Sequence, residues 1–134
     1  MTIELPFSQT GGLDRLLGLE YTEMTVERAC GRMAVRDDIK QPMGLVHGGV
    51  YAAVAESLAS LGTALGVMPE GKLAMGLSNQ TSFLRPITGG TIHAEAVRKH
   101  RGRSTWVWEV EIRDDEQRLC VLTRVTIAVR EAPS

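Results

Sequence analysis

One acidic residue stands inside a long stretch of this chain that is otherwise uncharged. Between Gly48 and Met68 the only formal charge is that of Glu56. A lone carboxylate on a buried surface is costly unless something compensates for it, so chance is a poor explanation for its position. Such a carboxylate can act as a base toward water or as a nucleophile toward an acyl carbonyl. Glu56 is therefore the candidate reactive group, with both roles open.

The same stretch begins with two glycines, Gly48 and Gly49, directly after His47. A helix N-terminus presents backbone N–H groups without partners and the positive end of the helix dipole. Glycines at this point let a carbonyl oxygen approach those donors, which can then stabilise developing negative charge. Together with Glu56, this predicts an acyl-transfer site.

The residues from Gly48 to Met68 predict one long helix with two different faces. Apolar residues recur at three- and four-residue steps and define a stripe that faces the core: Val50, Val54, Leu58, Leu61 and Leu65. The other stripe is small except for the glutamate: Gly49, Ala52, Ala53, Glu56, Ser60 and Thr63. Glu56 and Ser60 share that face because they lie four positions apart. A second backbone or a thin ligand could pack closely there.

The spacing of Gly48 and Glu56 predicts an oligomer. Eight positions separate them, which is roughly 12 Å along a helix axis at about 1.5 Å per residue. A single reacting carbon cannot easily touch both groups. If both serve one reaction, the helix start comes from one subunit and the carboxylate from another, at composite sites in the subunit interface.

Length and charge predict one domain, residues 1–134, without general affinity for polyanions. The chain has 15 Lys and Arg against 16 Asp and Glu, so nothing suggests attraction to nucleic acid or to an anionic membrane. A membrane span at Gly48 to Met68 is an alternative by length, but Glu56 and the many small residues favour a buried central helix. The first nine residues do not resemble a signal peptide, which favours a cytoplasmic location.

The few cysteines and histidines predict neither a disulfide framework nor a metal site. Cys30 and Cys120 are isolated and far apart, so a zinc cluster is not expected. His93 and His100 are seven positions apart on a predicted strand and do not have metal-ligand spacing.

The elements around the helix predict an α+β domain, with a six-stranded and mostly antiparallel sheet curled around the helix. The N-terminal segment, residues 1–17, ends in a short helical turn, and a break at Cys30-Gly31 separates the first two strands. Trp106 and Trp108 are expected in the core or in an interface. The open sheet edges would be buried by pairing between subunits. The predicted strands are Leu19 to Arg28, Gly31 to Arg36, Met75 to Leu84, Thr91 to His100, Ser104 to Arg113, and a last one from Leu119.

The segment Gly-Leu-Val-His-Gly-Gly at 44–49, with Gln41 before it and Glu56 and Ser60 after it, resembles one family across nearly the whole chain. The chain is similar to hotdog-fold thioesterases of the phenylacetate-pathway and 4-hydroxybenzoyl-CoA type, in the branch with a glutamate on the helix. The resemblance implies hydrolysis of an acyl-CoA substrate without a further cofactor. It also implies a homo-oligomer, either a dimer or a tetramer built as a dimer of dimers.

The resemblance also implies roles for the residues around the helix start. The Gly48 N–H would form the oxyanion hole, and Gln41 would orient the thioester carbonyl. Glu56 would act from the neighbouring subunit, with Ser60 positioning either the water or the carboxylate. His47 has two interpretations, a direct proton-transfer role and a loop-fixing role that sets the direction of the Gly48 N–H.

Two further groups of residues are candidates for binding the substrate. Ser78, Asn79, Phe83, Arg85 and Pro86 resemble the stretch that lines the pantetheine channel in the family; the alternative is that Phe83 is core and that Arg85-Pro86 merely ends a strand. Arg101 and Arg103 flank a tight turn at Gly102 and would suit the phosphates of CoA. The alternative for them is an ordinary charged hairpin tip.

Two rival functions remain open from the sequence. A hotdog dehydratase or hydratase would resemble branches with an Asp followed five positions on by His, and Asp14, Asp37 and Asp38 have no such His. A non-catalytic acyl-CoA-binding protein would gain nothing from a buried carboxylate. The acyl group is expected to be aromatic, with a medium-chain fatty acyl group as the alternative.

Overall fold

One long helix lies against a six-stranded antiparallel sheet in the computed structural model, which describes residues 11–133. The sheet order is β1-β2-β4-β5-β6-β3, so β1 and β3 form its edges. This confirms the predicted α+β architecture, and every pairing between neighbours is antiparallel. The elements are α1 Gly12–Leu17, β1 Glu20–Met24, β2 Arg28–Ala34, α2 Gly48–Val67, β3 Lys72–Phe83, β4 Thr91–Arg101, β5 Thr105–Arg113 and β6 Leu119–Glu131.

The ends of the first elements differ in part from the sequence prediction. The short helical turn is confirmed as α1, whereas residues 1–10 of the predicted N-terminal segment lie outside the described residues. The predicted strand break at Cys30-Gly31 is wrong, because both residues lie inside β2. The turn comes earlier, where the Thr25 hydroxyl accepts the Arg28 N–H at 2.9 Å. Gly31 is needed for packing instead, since a β-carbon there would lie 3.0 Å from the Leu19 side chain.

The predicted apolar stripe of α2 is buried over its middle. Val54 and Leu58 are fully buried and Leu61 is 3% exposed, while Val50 and Leu65 are only partly buried. The segment Gly48–Glu70 is long and apolar enough to cross a membrane by length and composition alone. Because its apolar face packs into the hydrophobic core against the sheet, it is the core helix of this fold.

The second half of α2 packs against the two tryptophans of β5. Trp106 and Trp108 are 1% and 0% exposed, which confirms their predicted core position. Gly62 and Gly66 make room for them, because a β-carbon at either glycine would lie 2.5 Å from a ring atom. The Trp108 indole N–H donates to the Thr63 hydroxyl at 2.9 Å. The prediction that Thr63 lies on the stripe of small residues where a ligand could pack is therefore wrong, since its side chain is fully buried.

Candidate active site

The start of α2 is fixed by His47, which is its N-cap residue. The Nδ1 atom of His47 accepts the Gly49 N–H at 2.9 Å, and the His47 backbone N–H donates to the Ile39 carbonyl at 2.9 Å. Because Nδ1 accepts, the ring proton of neutral His47 lies on Nε2. These contacts are those of a residue that holds the loop and the helix start in place.

Two hydrogen-bond donors remain available beside this cap. The Gly48 N–H has no hydrogen-bond partner among residues 11–133. The Gln41 side-chain oxygen accepts the Met43 N–H. Because the amide nitrogen of glutamine donates and does not accept, the Met43 N–H must face the Gln41 oxygen, and the Gln41 NH₂ group is left as a donor. The loop is closed by the Gln41 N–H, which donates to the Leu45 carbonyl at 2.8 Å.

An apolar cleft of about 440 Å³ opens at this helix start. Phe83 is 59% exposed, and its ring lies 2.8 Å from where a β-carbon on Gly48 would be. The interpretation of Phe83 as a core residue is therefore wrong, because the ring forms a wall of the cleft. Burial raises the pKa of Tyr51 to about 12, so its phenol stays neutral. The lining residues are Gln41, Leu45, Val46, Gly48, Tyr51, Phe83, Leu84, Arg85 and Pro86.

Glu56 and Ser60 lie in a second cleft of about 260 Å³. The Glu56 carboxylate carbon is 3.1 Å from where a β-carbon on Gly76 of β3 would be, so the carboxylate packs closely over this glycine. In the single chain the Glu56 side chain is exposed. The burial that the sequence predicted for this carboxylate is thus not found within one subunit. The lining residues are Asp14, Tyr21, Glu56, Ser57, Ser60, Leu61, Ala64 and Ala74.

The predicted catalytic residues are therefore divided between two clefts on one helix. Gln41 and Gly48 line the first, Glu56 and Ser60 line the second, and among the described residues none lines both. Since α2 runs without interruption from Gly48 to Val67, the distance of roughly 12 Å between the two helix positions holds. One chain alone does not bring the Glu56 carboxylate to the Gly48 N–H.

The predicted pantetheine residues divide in a similar way. Arg85 lines the first cleft. Asn79 is engaged within the chain: its Nδ2 donates to the Ala52 carbonyl at 3.0 Å, and its Oδ1 accepts the Thr81 hydroxyl at 2.8 Å. Ser78 is exposed, next to a register shift in β3. Asn79 thus ties β3 to α2, and neither Asn79 nor Ser78 lines the two clefts.

Arg101 and Arg103 flank the β4–β5 turn, at the far end of α2 from Gly48. The Arg101 guanidinium carbon lies 4.6 Å from the centre of the Trp106 ring, and Arg103 is exposed. Because Trp106 packs on Gly66, this hairpin tip lies beside the C-terminal end of α2. It does not contact the first cleft of its own chain.

The family is decided by comparison with known proteins. Residues 43–121, more than half of the chain, match the Thioesterase superfamily. The chain belongs to this family. It is a thioester hydrolase of the acyl-CoA type, and the predicted hotdog fold is confirmed.

Similar proteins cover nearly the full length of this thioesterase. The 1,4-dihydroxy-2-naphthoyl-CoA hydrolase of Listeria monocytogenes is 34% identical over 120 residues, which is 90% of this chain and 97% of that one. A solved thioesterase from Haemophilus influenzae has a TM-score of 0.83 at 34% identity and covers 90% of this chain and 84% of that one. A solved thioesterase variant from Staphylococcus aureus has a TM-score of 0.85 at 29% identity, covering 88% and 98%.

The Staphylococcus aureus protein has been solved with alanine in place of a glutamine and, separately, in place of a glutamate. Those two positions are fifteen residues apart. In the present thioesterase the same spacing separates Gln41 from Glu56.

Sequence reasoning missed several residues that line the Glu56 cleft. Asp14, Tyr21 and Ser57 come from three different elements, and no local pattern signals a contact between Asp14 and Ser57 across 43 positions. Gly76 had a usable signal, because an isolated glycine inside a strand often marks a close approach of another group.

Proposed function

We propose that this thioesterase hydrolyses aromatic acyl-CoA esters at composite sites, where Glu56 of one subunit acts on a thioester held at the helix start of a second subunit. The observation that carries this proposal is the division of the predicted residues between two clefts on one helix. A second copy is required because the donors and the carboxylate of a single chain are too far apart for one carbonyl carbon.

The helix start supplies the oxyanion hole in this proposal. The Gly48 N–H and the Gln41 NH₂ group are both left as donors by the contacts of the loop. Two such donors can hold the thioester oxygen as it gains negative charge. The His47 cap keeps the Gly49 N–H engaged, so His47 acts by fixing the helix start and not by transferring a proton.

Glu56 activates the attack on the thioester carbonyl by one of two routes. As a general base it takes a proton from a water that attacks the carbonyl carbon, and the carbon–sulfur bond then breaks to release the thiol of CoA. As a nucleophile, its carboxylate attacks the carbonyl carbon, the carbon–sulfur bond breaks, and CoA leaves as a thiolate that takes a proton from solvent. Water then hydrolyses the resulting anhydride to the free acid and the Glu56 carboxylate. Ser60, four positions on, would position the water or the carboxylate.

The edge of the sheet supports the oligomer that this mechanism needs. As an edge strand, β3 has a row of backbone groups that pair with no other strand among residues 11–133. Large apolar side chains on it and just after it are exposed, which is typical of an interaction surface. Pairing of two copies along β3 would cover both, and two such dimers would make the tetramer. The exposed residues are Leu73, Met75, Leu77, Phe83 and Leu84.

In this proposal an aromatic acyl group lies where the apolar first cleft of one subunit faces the Glu56 cleft of the other. The rings of Tyr51 and Phe83 lie 6.1 Å apart between their centres and are tilted by 45°, so a ring of the substrate can contact an aromatic wall. The similarity to a 1,4-dihydroxy-2-naphthoyl-CoA hydrolase supports this substrate class. Thiol release should be measured on a panel of aromatic and aliphatic CoA esters; a preference for aliphatic esters contradicts the proposal.

A subunit-mixing experiment tests the composite site. Glu56→Ala and Gln41→Ala chains with different tags are co-expressed, and the hybrid is purified through both tags. If sites are shared, one site of each hybrid dimer carries both lesions and the other carries none, so roughly half of the wild-type activity should return. If each site comes from one chain, the hybrid stays as inactive as the parents. A hybrid of two Glu56→Ala chains is the control.

The arginines at the β4–β5 tip are proposed to bind the phosphates of CoA. Arg101→Ala combined with Arg103→Ala should raise KM for CoA esters more than for thioesters of the same acyl group that lack the nucleotide, because guanidinium groups pair with phosphate oxygens. Equal effects on both kinds of substrate contradict this role.

A further inference from the structure

The Glu56 cleft contains a second carboxylate with two hydroxyl partners. The Ser57 hydroxyl donates to Asp14 Oδ1 at 2.6 Å, and the Tyr21 hydroxyl donates to Asp14 Oδ2. Burial and the neighbouring Asp14 carboxylate raise the pKa of Tyr21, which keeps its hydroxyl protonated as a donor. These three residues, here named the Asp14 network, connect α1, β1 and α2 directly beside Glu56.

The Asp14 network holds α1 against the side of α2 that carries Glu56. This helix has only six residues, too few to be stable without tertiary contacts. Leu17 fixes its end in the core at 7% exposure, and the Arg36 guanidinium donates to the Leu17 carbonyl at 2.7 Å. Asp14 is the residue of α1 that contacts the side of α2 carrying Glu56. Among the described residues, Asp14 is the one residue of α1 that lines this cleft. Its two hydrogen bonds hold it there.

The cleft that Asp14 lines is small and mixed in character. Its volume is about 260 Å³, and Leu61, Ala64 and Ala74 line it beside the polar residues. Because Glu56 acts at the thioester carbonyl in the proposed function, the acyl group attached to that carbonyl adjoins this cleft. The position of α1 therefore limits what fits next to Glu56.

We propose that the Asp14 network sets the size of the acyl group that the Glu56 cleft accepts, with Asp14 acting as a positioning residue through α1 and Ser57. This inference rests on the proposed function, because it takes Glu56 as the reactive group. It adds a determinant of specificity that lies outside the helix-start motif.

The experiment compares Asp14→Ala with Asp14→Asn. The amide of asparagine can still accept one hydroxyl hydrogen and donate to the other oxygen, so it retains the bridge that alanine removes. In Asp14→Ala we expect the ratio of kcat/KM for a naphthoyl-CoA to that for benzoyl-CoA to rise by about fivefold or more. Asp14→Asn should keep the ratio close to wild type. Glu27→Ala, which removes an exposed carboxylate elsewhere, is the control.

Limited trypsin digestion reads the position of α1 independently of activity. Arg15 is exposed within α1, and cleavage after it requires α1 to open. Cleavage at this bond, followed by mass spectrometry, should be about tenfold faster in Asp14→Ala and unchanged in Asp14→Asn. If Asp14→Ala does not fold, Ser57→Ala and Tyr21→Phe each remove one of the two bonds and should move both readouts in the same direction.

The outcomes separate this inference from the proposed function. Faster cleavage with unchanged acyl selectivity overturns the inference. So does a change in kcat/KM that depends on the thiol part of the substrate instead of its acyl part. Unchanged cleavage in every network variant overturns it as well. Full activity in Glu56→Ala instead overturns the proposed function, whatever the network variants show.

Discussion

The first half of α2, taken here as Gly48 to Ser60, and the second half, Leu61 to Val67, use glycine and polar side chains for opposite purposes. In the first half, the Gly48 N–H at the open cleft has no hydrogen-bond partner among residues 11–133, and Glu56 is exposed. In the second half, tryptophan rings occupy the space beside Gly62 and Gly66. The polar Thr63 is buried there with both of its hydrogen-bonding functions used, since it accepts from Trp108 and donates to the Ala59 carbonyl at 2.8 Å.

This difference teaches how one helix can carry both a site and a core. In the second half, where the polar Thr63 side chain has its hydrogen-bond partners, the helix packs fully within the single chain and contributes stability. Where the Gly48 N–H and the Glu56 carboxylate find no partner within the part of the chain that the structure describes, a substrate and a second subunit can supply one. Variants of the first half should therefore change rates, and variants of the second half should change the free energy of unfolding.

The largest effect is expected for Glu56→Ala. Removing the carboxylate that we propose to be reactive should lower kcat by about 10³-fold, while the unfolding transition stays close to that of the wild type because the side chain is exposed in the single chain. Steady-state thiol release and thermal unfolding measure the two quantities. A loss of stability comparable to that of a core variant would show that Glu56 belongs with the second half of the helix.

Gln41→Ala should have the next largest effect. It removes one of the two donors proposed to hold the thioester oxygen and should lower kcat by about 10²-fold with a smaller change in KM. Gln41→Glu is the matched variant, because its oxygen can still accept the Met43 N–H while the donor is lost. If Gln41→Glu retains full activity, Gln41 acts only by holding the loop.

Gly62→Ala tests the second half of the helix. The added methyl group would lie 2.5 Å from the Trp108 ring, and overpacking of this kind costs about 1–3 kcal/mol of unfolding free energy. Urea denaturation measures the cost, and kcat per folded molecule should stay within about twofold of wild type. A large fall in kcat without a loss of stability would contradict the division of the helix.

The smallest effect is expected at the cap. His47→Ala removes the acceptor of the Gly49 N–H and should destabilise the protein by about 1 kcal/mol. His47→Asn retains an N-cap acceptor and should keep both the rate and its pH profile near those of the wild type. If the pH profile of kcat loses a limb in His47→Asn, the histidine transfers a proton and the loop-fixing interpretation fails.

Much of the fold could be predicted because its signals are local. Period-two patterns locate β4 and β5 nearly to their ends, and the uncharged run after Gly49 predicts α2. The error at Cys30-Gly31 arose because glycine in a sequence often indicates a turn. Gly31 instead makes room for the Leu19 side chain, and this contact forms only in the folded protein. Phe83 was misjudged for a similar reason. Phenylalanine is typical of protein cores, but this one lies at the exposed end of an edge strand.

The sequence by itself determined the long helix, its lone acid, its glycine start and the separation between them, because helical periodicity and rise per residue are properties of the local chain. Only the tertiary structure decided that Asp14 meets Ser57, that Gly76 lies beneath Glu56, and that Thr63 belongs to the core. Those contacts join residues far apart in the chain. They depend on how strands and helices pack together, which no local pattern encodes.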